Sequence, residues 1–185
     1  MLTDNKVKIQ FSRGLPFYFV ILILVIPIRL LFAVIISVAV HELFHLIALR
    51  ALGVTVFEIV FDVGGARIKT QEMLPKIELL CALAGPIGGL LLVSLYRYCP
   101  AISICALAHT CYNLLPVFPT DGGRVLRCAI RLLSNNNAQN WITGLELVII
   151  TIIIIVCVYV TIVYPVGVIP ICFATMLLLN GISNK

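Results

Sequence analysis

Charge is the scarce commodity in this sequence. Only 8 acidic and 13 basic side chains occur in 185 residues, 11% of the chain, where soluble domains carry roughly a quarter. With 62% hydrophobic residues, the composition is that of an integral membrane protein, and no stretch is long enough for a separate soluble domain. Cysteine is present but unpatterned. The seven residues at 81, 99, 105, 111, 128, 157 and 172 form no C-x-x-C pair, so neither a disulfide framework nor a thiolate zinc site is indicated and small buried apolar roles remain. No internal repeat or low-complexity segment occurs, and no basic, aromatic-interleaved surface points to nucleic acid. The net charge of +5 therefore reads as topology and contact with lipid headgroups.

Long apolar runs are what the chain has instead. Hydropathy predicts about six spans, each near the ~20 residues a bilayer requires: Leu15–Ile28, Leu30–Leu49, Ile77–Tyr96, Ala101–Leu115, Trp141–Val163 and Val166–Leu179. The first is short, and only Pro27 and Arg29 separate it from the second. Lys6, Lys8 and Arg13 ahead of that run, with Ser37-Val38-Ala39 behind it, imitate a signal peptide. Arg29 interrupts the run, and cleavage there would leave His41 almost at a new terminus, so an uncleaved span is expected. With six spans, 11 of the 13 basic residues share one side: Lys6, Lys8, Arg13, Arg50, Arg67, Lys69, Lys76, Arg124, Arg127, Arg131 and Lys185. The positive-inside rule then places both termini in the cytosol of a multi-pass cell-membrane protein.

Inside the second run lies His41-Glu42-Leu43-Phe44-His45. Two imidazoles and a carboxylate are expensive within a membrane span and need a function. Positions i and i+4 of a helix share one face, so both imidazoles can reach one metal ion. A glutamate following the first histidine completes the H-E-x-x-H pattern of zinc hydrolases, where it serves as general base toward the attacking water.

Catalytic zinc commonly takes three protein ligands, which leaves one to find. Of the eight carboxylates, Asp4, Glu58, Asp62, Glu72, Glu78 and Glu146 fall in tails, loops or span ends, and Glu42 belongs to the motif. Asp121 remains, in Asn113-Leu114-Leu115-Pro116-Val117-Phe118-Pro119-Thr120-Asp121-Gly122-Gly123-Arg124. Pro116 and Pro119 break the fourth span, and Gly122-Gly123 permits close backbone approach. Irregular backbone of this kind is tolerated at membrane depth where protein or a wet cavity surrounds it. Topology agrees: His41 lies about 13 Å of helix before Arg50, and Asp121 just precedes Arg124, so both fall in the cytosolic half of the bilayer.

The two motifs together carry a family resemblance. His41-Glu42-x-x-His45 in an apolar helix, then Asn113-x-x-Pro116-x-x-Pro119-x-Asp121-Gly122 about 70 residues later, resembles the site-2 protease family of intramembrane zinc metalloproteases. Ala84-Gly85-Pro86 and Phe61-Asp62-Val63-Gly64-Gly65 resemble further features of that family. The overall layout, over roughly residues 15–180, is most similar to the sporulation branch that processes pro-sigma-K. That branch carries a C-terminal nucleotide-sensing CBS domain, whereas this sequence ends at Lys185, so a single membrane domain over residues 1–185 is expected and regulation by ATP is not carried over.

The resemblance implies an all-α polytopic fold with a short membrane-associated β-hairpin after the second helix. It also implies one Zn2+ per chain on His41, His45 and Asp121, and Glu42 as the catalytic base. Asn113 would orient substrate or support an oxyanion, the alternative being an interhelical hydrogen bond. His109, one turn before Asn113, reads as a supporting or structural residue near the site. The β-prone runs around Phe61, Gly64 and Gly65 would pair with an extended substrate strand, the alternative being a plain connecting hairpin. The implied partner is a membrane-associated protein substrate in the lipid bilayer of a bacterial cell, a pro-sigma factor in the most specific version, with membrane inhibitor proteins as further candidates and no nucleic acid. Competing readings are an anti-sigma factor or signal-peptide remnant as substrate, and a metal-binding scaffold or transporter without proteolysis. Intact Glu42 speaks against the last, because holding zinc needs the ligands but not the adjacent base.

Overall fold

A computed structural model of the chain describes residues 7–12, 14, 16–17, 20, 23–24, 26–62, 65–133 and 138–163. The described chain is mostly helical and divides into two units, Met1–Tyr112 and Asn113–Lys185. The first unit holds strand β1 (Lys8–Phe11), helix α1 (Ile28–Ala51), strands β2 (Val56–Asp62) and β3 (Gly65–Thr70), helix α2 (Pro75–Ser94) and nearly all of α3 (Pro100–Asn113). The second holds α4 (Asp121–Leu133) and α5 (Ala138–Val163).

Among the described residues, three helical stretches are long and apolar enough to cross a membrane: Ile28–Ala51, Pro75–Ser94 and Ile142–Val163. They answer to the second, third and fifth expected spans. The fourth is the 14-residue α3, about 21 Å long at 1.5 Å per residue and short of a ~30 Å hydrocarbon layer. Pro116 explains its early end. Residues 15, 18, 19, 21, 22 and 25 of the first expected span, and the whole of the sixth, lie outside the described residues.

Helix α1 ends by a mechanism visible in its residues. Gly53 takes a left-handed φ of +69°, the Gly53 N–H donates to the Arg50 carbonyl at 3.2 Å, and the Val54 N–H donates to the Leu49 carbonyl at 2.9 Å. This is the paired terminus in which glycine avoids the Cβ penalty and a hydrophobic contact closes the turn. Val54 supplies that contact, forming a buried cluster with Leu49 and Cys81 against which Ala48, Val56, Ile68, Met73 and Ile77 pack. The cluster ties the ends of α1 and α2 to the sheet. Helix α2 then starts with Pro75 in its first turn, where a missing N–H costs nothing.

The sheet has the order β1-β2-β3. Strands β2 and β3 pair antiparallel, with Glu58 opposite Lys69 and Phe61 opposite Ala66. Strand β1 is not among the elements expected from the sequence; it pairs parallel to β2, Lys8 to Glu58 through Phe11 to Phe61. The Phe11 and Phe61 rings stack with centroids 5.5 Å apart. Strand β2 is therefore the middle strand.

In the second unit, the stretch expected as a connecting loop is helical. The periodic apolar positions Val125, Cys128, Ala129 and Leu132 signal α4, but Gly122-Gly123 at its start masks it. Thr120 caps it: the Gly123 N–H reaches the Thr120 Oγ1 at 3.4 Å, and the Arg124 N–H donates to the Thr120 carbonyl at 3.1 Å.

Candidate metal centre

One face of α1 builds the first half of the site. Ala33, Ser37, His41, His45 and Leu49 recur every four residues and all are buried, whereas Leu43 and Ile47 between them are exposed. Facing this stripe, α2 buries Cys81, Ala82, Gly85, Pro86, Gly88 and Gly89. The small residues are a steric requirement. A Cβ on Gly88 would lie 2.6 Å from the Phe44 ring, and one on Gly85 would lie 2.6 Å from His41 Nε2 and nearer still to His45 Nε2.

The imidazoles are oriented as metal ligands are. His45 Nδ1 lies 2.7 Å from the Cys81 carbonyl oxygen. That oxygen can only accept, so Nδ1 carries the proton and the Nε2 lone pair is left to bind. The Nε2 atoms of His41 and His45 are 3.2 Å apart. Two nitrogens at ~2.05 Å from a tetrahedral zinc would be separated by about 3.3 Å. The same separation allows an N–H···N hydrogen bond in the metal-free chain. What distinguishes a metal cradle is Gly85, since the missing side chain leaves open the space beside both lone pairs. The residues fit a metal ion.

His109 on α3 is brought to this pair. Its ring centroid is 4.7 Å from that of His41 at an interplanar angle of 81°, and the His45 ring meets His41 edge-on at 4.8 Å. Glu42 is half-buried beside His41, rotated off the buried stripe by one residue. Phe61 is half-buried in the middle strand, so the backbone expected to pair with a substrate is already paired on both edges, the Ser12 N–H donating to the Phe61 carbonyl at 2.9 Å. Among the described residues the outer edges of the sheet belong to β1 and to β3, which begins at Gly65. Gly64 lies outside the described residues.

The second unit presents Asp121 as the first residue of α4, buried to 6% exposure. Arg124 Nη1 lies 3.9 Å from its Oδ1. Gly122 and Gly123 sit directly beneath the backbone of the preceding loop. A Cβ on Gly122 would come within 2.6 Å of the Leu115 carbonyl oxygen, and one on Gly123 within 2.5 Å of the Phe118 nitrogen. The Thr120 hydroxyl reaches the Leu115 and Val117 carbonyls at 2.5 and 2.7 Å, so the loop closes on its own helix. Asn113 is half-buried at the end of α3, eight residues earlier.

Sequence reasoning missed one cluster. Arg127 on α4 holds Glu146 on α5 with two hydrogen bonds, Nε to Oε1 at 2.9 Å and Nη2 to Oε2 at 3.0 Å. Its guanidinium carbon stands 3.9 Å from the centroid of the Phe118 ring. The sequence reading leaves Glu146 at an unremarkable span end; an acidic residue four places into the 22-residue apolar stretch Ile142–Val163 is the available signal.

Comparison with known proteins gives a consistent picture. No family model matches the chain. A zinc metalloprotease of Methanocaldococcus jannaschii is 32% identical over 111 residues, covering 51% of this chain and 32% of that protein, so the chain spans about a third of the length of this curated relative. Among solved structures, the site-2 protease from Methanocaldococcus jannaschii aligns with a TM-score of 0.70 at 19% identity, covering 99% of this chain and 93% of that one. The fold is that of this site-2 protease.

Proposed function

We propose that this protein is an intramembrane zinc endopeptidase of the site-2 type, which hydrolyses a peptide bond of a membrane-associated protein near the cytosolic face. One observation carries the reading: the paired Nε2 atoms of His41 and His45 stand at the spacing of two ligands of one ion, beside a glycine that leaves the ion's place open. Asp121 supplies the third ligand. In support, His41, His45 and Asp121 are all buried and offer one ligand atom each, a set of donors that could hold a metal ion. Two imidazoles and a carboxylate suit zinc. The name of the curated relative and the fold of the solved one point the same way.

When bound, zinc supplies Lewis-acid polarisation of the scissile carbonyl and lowers the pKa of the attacking water. The residues do the rest. Glu42 takes the water's proton and passes it to the departing amine. The Asn113 amide donates to the oxygen on which charge develops. His109, edge-on to His41, holds that ring in its ligating orientation. An extended substrate adds to the open edge of β3, because amides within a helix are shielded by their own hydrogen bonds. The basic residues keep both termini cytosolic.

Glu42→Gln provides the test. Cleavage should fall by roughly 10²–10⁴-fold while zinc stoichiometry is unchanged, since the ligands remain. A variant that cleaves at the wild-type rate, or a zinc-loaded wild-type protein that cleaves no membrane-associated substrate, would overturn the assignment. Processing of a pro-sigma-K-type substrate is the finer reading, supported by the motif likeness to the sporulation branch. Co-expression of pro-sigma-K with wild type and Glu42→Gln tests it; no processing by either leaves the broader activity, with an anti-sigma factor or signal-peptide remnant as the substrate to try next.

A further inference from the structure

We propose that Arg127 is a positioning residue for Asp121, clamping the loop that carries this carboxylate; the inference rests on reading Asp121 as a metal ligand. Glu146 is 9% exposed on a helix apolar enough to cross a membrane. A carboxylate in such a place is costly unless it is paired and hydrogen-bonded. Arg127 pairs it through a two-pronged contact that matches the guanidinium fork to both oxygens. An ion pair of this kind adds little stability over an apolar contact of the same volume, so its presence calls for a geometric use.

The use is visible on the face of the same guanidinium. While its edge is held by Glu146, its face covers the Phe118 ring at 3.9 Å. Phe118 belongs to the loop that delivers Asp121, a loop whose backbone makes few hydrogen bonds of its own. Pro116 and Pro119 lack N–H groups. The backbone bonds are Val117 N–H to the Leu115 carbonyl at 2.8 Å and Thr120 N–H to the Val117 carbonyl at 3.1 Å. Thr120 and the two glycines fix the loop at its junction with the helix; Arg127, two turns along α4, fixes its outer part. The order of restraint runs from Glu146 to Arg127, to Phe118, to Asp121. Lysine cannot replace arginine here, because a point charge cannot bind both oxygens and stack on a ring.

Purified full-length protein in detergent tests this by zinc affinity from chelator competition, the visible spectrum of the cobalt-substituted protein and thermal unfolding. Arg127→Lys and Phe118→Leu should each weaken zinc binding roughly tenfold, as loss of outer supports of a ligand does, and should change the cobalt spectrum. Phe118→Tyr, which keeps the ring face, should restore both. The double variant Arg127→Met with Glu146→Leu leaves no unpaired charge and should keep its melting temperature, yet bind zinc as weakly as Arg127→Lys. Wild-type affinity and cobalt spectrum in Arg127→Lys and Phe118→Leu, with affinity lost in Asp121→Asn, would refute the clamp alone. Wild-type affinity in Asp121→Asn would remove the ligand reading and the clamp with it.

Discussion

An alanine at position 85 would put its methyl carbon 2.6 Å from His41 Nε2 and closer to His45 Nε2. Ordinary van der Waals separation is about 3.4 Å or more, so the His41 ring must retreat by about 0.8 Å and the His45 ring further. Ligand distances at a zinc site tolerate only about 0.2 Å. At least one imidazole is therefore lost from the coordination shell, and zinc affinity should fall by about 100-fold or more, equivalent to ~3 kcal/mol. The metal-free protein should suffer much less. Overpacking costs about 1–3 kcal/mol, and replacing a helical glycine by alanine returns up to about 1 kcal/mol. Chelator competition on the purified protein, beside a thermal melt of its metal-free form, separates the two effects. Gly144→Ala is the control, because a Cβ there meets nothing within 4 Å, and it should leave zinc affinity untouched. One zinc per chain at wild-type affinity in Gly85→Ala would refute the proposal that the ion sits between these two nitrogens.

Three further outcomes are expected. Gly89→Ala directs its methyl at the buried Thr110 hydroxyl rather than at the histidines, so it should lower thermal stability by about 1–3 kcal/mol with zinc affinity retained, and Thr110→Ala in the same chain should recover part of the loss. Thr120→Val removes the cap of α4 and should cost about 0.5–2 kcal/mol, read as faster amide exchange over residues 114–124. The third outcome concerns pH. The hydrogen bond from Lys69, 2.8 Å away, holds the Glu58 carboxyl below its usual 4.5; desolvation opposes it, and the charges of Lys69 and Lys8 add to the attraction. A carboxyl depressed on folding stabilises the sheet above its unfolded pKa and loses that contribution as pH falls through the folded one. Amide protection across β2 and β3 should therefore weaken on acidification below about pH 4.5, and Lys69→Met should flatten that dependence.

Much of the candidate site is legible in the order of residues. His41 and His45 four residues apart in an apolar run can only share a helix face, and elimination among eight carboxylates leaves Asp121. The limits of α1, α2 and α5 follow from hydropathy to within a few residues. Strand β1 is not legible: Lys8–Phe11 is four residues long, too short to show a period, and it becomes a strand only because β2 offers an edge. Helix α4 is hidden for the opposite reason, its periodicity being present but prefaced by two glycines that argue against a helix start. Those glycines serve the loop folded over them.

Composition and spacing alone determined that this chain belongs in a membrane and that one helix carries paired imidazoles beside a carboxylate, and they pointed to Asp121 as the ligand proposed to join them. Each of these is a property of residues near one another in the chain or of a simple count. Tertiary structure decided the rest: the Cys81 carbonyl that sets the His45 tautomer 36 positions away, the empty side of Gly85, the ring of His109 against His41, and the Arg127–Glu146 pair 19 positions apart. No periodicity links such residues. They meet because helices pack, and a glycine's lack of a side chain carries meaning only once its neighbour across the interface is known.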